Sequence, residues 1–120
     1  MKKYTSLVVL YSTIYSETND KKDLDKLIEV AEKSVSFYEQ NASRVKYKSS
    51  AILAYNNLAS IINSYPNTDL SKENRILKAE YYLNKAFDLL KTNNHPEVAL
   101  TCIATEAEIM MNKGNFNEVE

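Results

Sequence analysis

The sequence has few of the residues that interrupt, cross-link or activate a protein chain. Its 120 residues include one glycine, two prolines, one cysteine and one histidine. Because a lone cysteine can form no internal disulfide, nothing indicates an oxidising compartment, and we expect a cytoplasmic protein. These counts exclude the glycine-rich phosphate loops and paired-histidine motifs of many enzymes. We therefore expect no cofactor, no bound metal and no enzymatic activity.

An excess of charge of either sign and long apolar runs are also missing. Lysine and arginine number 15 against 16 aspartates and glutamates, so the net charge is −1. A chain without a basic excess gives little support for nucleic-acid binding. No stretch approaches the roughly 18 apolar residues of a membrane span. With 44% apolar and 26% charged residues, residues 1–120 are predicted to form one soluble domain that binds neither nucleic acid nor membranes.

Cys102 is the one candidate nucleophile, and the alternative of an enzyme depends on it. It stands among Leu100, Ile103 and Ala104, where a small buried apolar side chain is the more common role. A reactive thiol needs a base beside it, and His95 lies about two helical turns away. An enzyme is therefore the least favoured hypothesis, and turnover that depends on Cys102 would revive it.

What the sequence does contain is helical periodicity along nearly its whole length. Apolar residues, many of them tyrosines, recur at spacings of three and four, which is typical of amphipathic helices. Ser71 is predicted as an N-cap and Pro96 as part of a first turn. Gly114 is expected to end a helix in the left-handed conformation, with the start of a sixth helix after it. The five predicted helices span about 3–17, 23–40, 43–64, 71–91 and 96–113.

The chain also repeats itself. The segments "LYSTIYSETND", "NLASIINSYPN" and "EAEIMMNKGNF" each place a small residue, Ser12, Ala59 or Ala107, before an apolar pair or near-pair. These small residues are 47 and 48 residues apart, and "LIEVAEKSVSF" aligns with "AEYYLNKAFDL" at an interval of 52 residues. Such intervals predict repeated helix pairs. The predicted repeats span about 3–41, 43–91 and, incompletely, 96–120.

These features resemble a divergent tetratricopeptide repeat protein. The match is best from Ala79 to Val119, where Ala79 and Ala86 stand at small-residue positions of a second helix and Gly114 opens a Gly-Asn-aromatic turn. The resemblance implies an all-α fold of antiparallel helix pairs stacked as a right-handed superhelix, with about five helices plus the start of a sixth. The repeats are longer than the 34 residues of the family, as in divergent repeats of bacterial regulators and sensors. A generic helical bundle is the alternative.

The resemblance also implies a concave binding face lined by the first helix of each pair. It implies a protein-interaction or sensing module, part of a larger bacterial regulatory protein, that binds a peptide or protein on that face. The implied ligand-binding residues are Thr13, Ser16, Glu17, Asn56, Ser60, Asn63, Thr101, Glu108, Met111 and Asn112, with Ser6, Val9, Leu53, Ser64 and Ala104 completing the face.

One class of ligand is expected not to bind. Chaperone-binding tetratricopeptide repeats hold a terminal carboxylate with lysines, asparagines and an arginine. Because a carboxylate would find no charge-assisted partner at the matching positions here, we expect no binding of acidic chaperone tails. Only Asn57 fits among those positions, which are Val9, Thr13, Asn57, Thr101 and Thr105.

Self-association is the alternative function. Ile103 and Met110 of the fifth predicted helix, and Phe116 and Val119 after it, lie on a side that no predicted helix covers. Repeat arrays normally end in a polar capping helix. We therefore expect either a homodimer through this exposed C-terminal helix, or an excerpt of a longer repeat protein whose remainder covers it.

Overall fold

The computed structural model describes residues 2–46, 48–65 and 70–118, without the side chains of Lys2 and of residues 115–118. Within these ranges the chain forms five helices and no strand, which confirms the predicted all-α class. None of the helices there combines the length and the apolar character needed to cross a membrane. The helices are α1 (Lys2–Thr18), α2 (Lys21–Asn41), α3 (Lys48–Ser64), α4 (Lys72–Thr92) and α5 (Pro96–Glu118).

The connection between α1 and α2 is a tight turn of two residues. Asn19 takes the left-handed conformation with a φ of 52°, which asparagine tolerates better than most residues. The side chain of Asp20 then accepts a hydrogen bond from the backbone N–H of Lys22 at 3.0 Å and caps α2. α2 therefore begins two residues earlier than predicted.

The predicted start of α4 is correct, and that of α3 is wrong. Ser71 caps α4 as predicted, since its hydroxyl accepts from the backbone N–H of Asn74 at 3.1 Å. The predicted start of α3 near Ser43 is wrong, because the helix begins at Lys48. Residues 42–44 form a turn, and the ammonium of Lys48 donates to the carbonyl oxygen of Ala42 at 2.6 Å. A side chain from the next helix thus binds a carbonyl at the end of α2.

Gly114 does not end the fifth helix. α5 continues through it to Glu118, and no glycine has a positive φ. The predicted end at Lys113, the left-handed glycine and the helix start after it are therefore wrong as far as Glu118; the last two residues lie outside the described ranges. Glycine can adopt the left-handed conformation but does not have to. Its place inside a helix costs about 1 kcal/mol relative to alanine.

The helices pack around α3. This helix contacts all four others: α2 also lies against α1, and α4 also lies against α5. Across the described residues, α1 does not reach α5 and α2 does not reach α4. α3 consequently buries ten of its 17 residues, among them Ile52, Leu58 and Ala59. The terminal helices α1 and α5 each keep one side uncovered.

Alanine at position 114 tests the continuous helix. Gly114→Ala is expected to raise the free energy of unfolding by about 0.5–1 kcal/mol, because alanine loses less backbone entropy on folding. An added Cβ would meet no heavy atom within 4 Å. Urea unfolding followed by circular dichroism measures the change. The reverse substitution at the exposed Ala107 is the control, with an equal loss expected; destabilisation by Gly114→Ala would indicate a left-handed turn instead.

Candidate functional site

Several of the residues implied for ligand binding meet around one open groove of about 540 Å³. The groove lies between the end of α3, the first turn of α4 and the second half of α5. A second depression of about 420 Å³ is lined by α2 alone. The groove is thus the place where side chains of three helices converge. Its lining residues are Asn63, Ser64, Lys72, Arg75, Glu108, Met111 and Asn112.

The order of the helices explains why these three segments meet. α3 packs on α4 and α4 packs on α5, and consecutive helices joined by short connections run antiparallel. α3 and α5 therefore point in the same direction and lie side by side. Their C-terminal halves come together where α4 begins.

A pair of asparagines joins α3 to α5 at the floor of the groove. The side-chain amide of Asn112 donates to the side-chain oxygen of Asn63 at 2.8 Å and to its backbone carbonyl at 3.3 Å. The guanidinium of Arg75 approaches the same carbonyl at 3.5 Å. A carbonyl in the last turn of a helix has no intrahelical partner, so these donors supply one. Asn63 itself is buried.

Polar groups remain available in the groove. The side-chain oxygen of Asn112 and the other N–H groups of Arg75 make no hydrogen bond to any residue in the described ranges. Met111 adds an exposed apolar surface, and Glu108 faces the two cations of α4. The groove can therefore accept hydrogen bonds, donate them, and pair with a charged group.

The two cations were missed by the sequence reasoning. Lys72 and Arg75 belong to the first turns of α4, in the segment "SKENR", whereas the resemblance implies ligand-binding residues only on the first helix of each pair. Their spacing of three residues places them on one helix face, which is the signal that could have found them. The five positions that match the carboxylate clamp of chaperone-binding repeats contain no cation. The groove contains two, Lys72 and Arg75.

The other implied residues lie elsewhere. Thr13, Ser16 and Glu17 are exposed on α1, Thr101 is exposed on α5, and none of these lines the groove. The three hydroxyls donate to backbone carbonyls of their own helices at 2.8–3.3 Å. They are solvated or locally bonded side chains in a single copy of the chain.

Asn56 and Ser60 of α3 also lie outside the groove. Ser60 is half-buried, and Asn56 is only 3% exposed. The side-chain oxygen of Asn56 is buried without a hydrogen-bond partner among the described residues. Because α3 has neighbours on every flank, Asn56 presents almost no surface to a ligand.

A row of three tyrosines runs from α2 across α3 to α4. Tyr55 of α3 has its ring 6.1 Å from that of Tyr38 and 6.5 Å from that of Tyr82. Its hydroxyl donates to the carboxylate of Glu39 at 2.9 Å. Burial, and then this hydrogen bond, raise the pKa of Tyr55. The row is a packing feature that bridges two helices.

Cys102 is fully buried in α5, as predicted for a small apolar side chain. Burial raises the pKa of its thiol to about 11, so the thiol stays protonated at neutral pH. In the part of the chain that the structure describes, no three cysteine, histidine, aspartate or glutamate side chains are grouped to hold a metal ion.

Comparison of the chain with protein-family models, with curated proteins and with solved structures finds no match.

Removing the amide of Asn112 tests the bond between α3 and α5. Asn112→Ala leaves a buried oxygen of Asn63 unpaired and is expected to lower the free energy of unfolding by about 1–3 kcal/mol. Asn84→Ala is the matched control, since Asn84 is an exposed helical asparagine, and should change it by less than about 0.5 kcal/mol. Urea unfolding measures both. Equal effects would contradict a stabilising role for the asparagine pair.

The raised pKa of Cys102 predicts a dependence of stability on alkaline pH. The thiol of the unfolded chain ionises near pH 9, while the folded one ionises near pH 11. Stability from this group is therefore complete below pH 9 and declines as the pH rises towards 11. In Cys102→Ala the decline should be shallower, by at most about 1.4 kcal/mol per pH unit. Denaturant unfolding at several pH values measures the slope, and identical slopes would contradict the prediction.

Proposed function

We propose that the chain is a protein-interaction module that binds an extended peptide segment in the groove between α3, α4 and α5. The observation that carries this proposal is the convergence of Asn112, Arg75 and Met111 on an open groove that crosses three helices. Small grooves with a few converging polar groups and an apolar surface are common binding sites.

Tetratricopeptide-like stacking is proposed with this function. In its support, α1 and α5 flank α3 while α2 and α4 stay apart, as expected for helix pairs that contact only their neighbours. The small residues Ala59, Ala79 and Ala86 are fully buried, consistent with close helix crossings. The continuous helix through Gly114 removes one motif of the resemblance. A role in a larger bacterial regulator or sensor rests on the resemblance alone.

The groove favours a peptide with an acidic and an apolar side chain. The guanidinium of Arg75 can form paired hydrogen bonds with a carboxylate. The side-chain amide of Asn112 can bond a peptide backbone, and Met111 offers a polarizable apolar contact. Because the groove is open, the affinity is expected to be modest.

Peptide selection tests the proposal. Peptides selected from a random display library on the immobilised chain are then titrated by calorimetry into variants. Arg75→Gln and Glu108→Lys should each change the dissociation constant about tenfold, the effect of roughly 1.4 kcal/mol. The matched controls are Lys78→Gln on α4 and Glu106→Lys on α5, which are exposed outside the groove. Equal effects of the groove and control variants, or a failure to select any peptide, would contradict binding here.

Self-association through α5 is the second candidate function. Leu100, Ile103 and Met110 are 68%, 52% and 63% exposed and follow one side of the helix away from the core. A helix that is apolar around most of its circumference is normally buried on more than one side. Phe116 and Val119, expected to extend this side, lie outside the described side chains.

A further inference from the structure

Both terminal helices leave an apolar side uncovered. α1 exposes Val9 at 60% and Leu10 at 51%, and α5 exposes the stripe of Leu100, Ile103 and Met110. The central helix α3 is covered on both of these flanks, by α1 on one and α5 on the other. α1 and α5 therefore each have α3 on one flank and no helix of the described chain on the opposite flank.

The charges on the two helices differ. Between Lys3 and Glu17, α1 carries no charged residue. α5 carries the exposed carboxylates of Glu106 and Glu108 near its middle. Glu108 faces the groove, but Glu106 stands three residues after Ile103 and four before Met110, next to the stripe. Two copies that met through α5 on a two-fold axis would therefore place the Glu106 carboxylates close to each other, and like charges at short range are unfavourable. Contact with the uncharged middle of α1 avoids this repulsion.

The two helices also match along their length. On α1, Leu10 stands midway between Lys3 and Glu17. On α5, the midpoint between Glu97 and Lys113 is Thr105, two residues after Ile103 of the stripe. Charges of opposite sign thus come to the same level at both ends when the helices run in parallel. The spans are about 21 and 24 Å at a rise of 1.5 Å per residue. Lys113 also pairs with Glu80 of α4 at 2.9 Å.

We propose that copies of this chain associate head to tail, with the α5 stripe of one copy packed against the Val9–Leu10 side of α1 in the next. This inference rests on the proposed self-association. Because the two surfaces differ, the contact is heterologous and leaves a free surface at each end of a pair, so further copies can add to it. One helix pair buries less than the roughly 800 Å² per partner of a standard interface, so association should be weak and concentration-dependent.

Two complementary variants test the arrangement. Leu10→Glu blocks the α1 surface and leaves the α5 surface intact, whereas Ile103→Glu does the reverse. Sedimentation equilibrium should give monomers for each variant alone. An equimolar mixture should give a species of two chains that does not grow, because only one productive contact remains. The wild-type chain should instead grow beyond two copies as its concentration rises. Circular dichroism confirms that each variant is folded.

The control and the contrary outcomes are distinct. Leu77→Glu replaces an apolar residue of α4 that is 59% exposed, and it should associate like the wild-type chain. If Leu10→Glu also associates like the wild type while Ile103→Glu is monomeric, the contact is α5 with α5, and only the head-to-tail inference fails. If Ile103→Glu associates like the wild type, α5 plays no part, and both the inference and self-association through α5 fail. A wild-type chain that stays monomeric at every concentration overturns both as well.

Discussion

The burial of α3 is the constraint on which the rest of the structure depends. A helix surrounded by four others must be apolar or small on nearly every side, and α3 meets this with residues such as Ala51, Ile52 and Leu58. Its backbone carbonyls emerge only at its C-terminal end. There the carbonyl of Asn63 needs donors from other helices, and Asn112 and Arg75 provide them. The groove lies where the end of the central helix is capped from α4 and α5.

The contact between α3 and α5 is partly polar, and this sets α5 apart. Among the side chains of α5 that the structure describes, the buried ones are Cys102, Thr105 and Ile109, a narrow stripe for a helix of 23 residues. Polar contacts contribute less net stability than apolar burial, but they fix which groups face each other. α5 therefore combines a defined position on α3 with two largely exposed sides, one at the groove and one carrying the apolar stripe.

Periodicity predicted most of the fold because each helix carries its own local signal. Ser71 and Pro96 mark helix starts through their own chemistry, and the structure has both in those places. Gly114 shows the limit of such local signals. Glycine permits either a helix or a left-handed turn, so the sequence around it does not decide between the two conformations. At the start of α3, Lys48 donates back to the carbonyl oxygen of Ala42, a contact that helical periodicity does not predict.

The same limit applies to the candidate site. Glu108, Met111 and Asn112 were predicted together because the resemblance assigns them to one face of the fifth helix. The contribution of Arg75 depends on how α4 is positioned against α3, which is a property of the packing. The burial of Asn56 likewise follows from the number of helices packed around α3, which helical periodicity does not predict.

The two proposed surfaces would meet if copies stack as inferred. Met111 lines the groove and directly follows Met110 of the apolar stripe. In a parallel arrangement, the second half of the next copy's α1 lies level with the second half of α5, where the groove is. That part of α1 carries Thr13, Ser16 and Glu17, which are exposed and line no groove in a single copy. Stacking would therefore bring these polar residues level with the groove along the axis of α5, on the side of the helix that carries the apolar stripe.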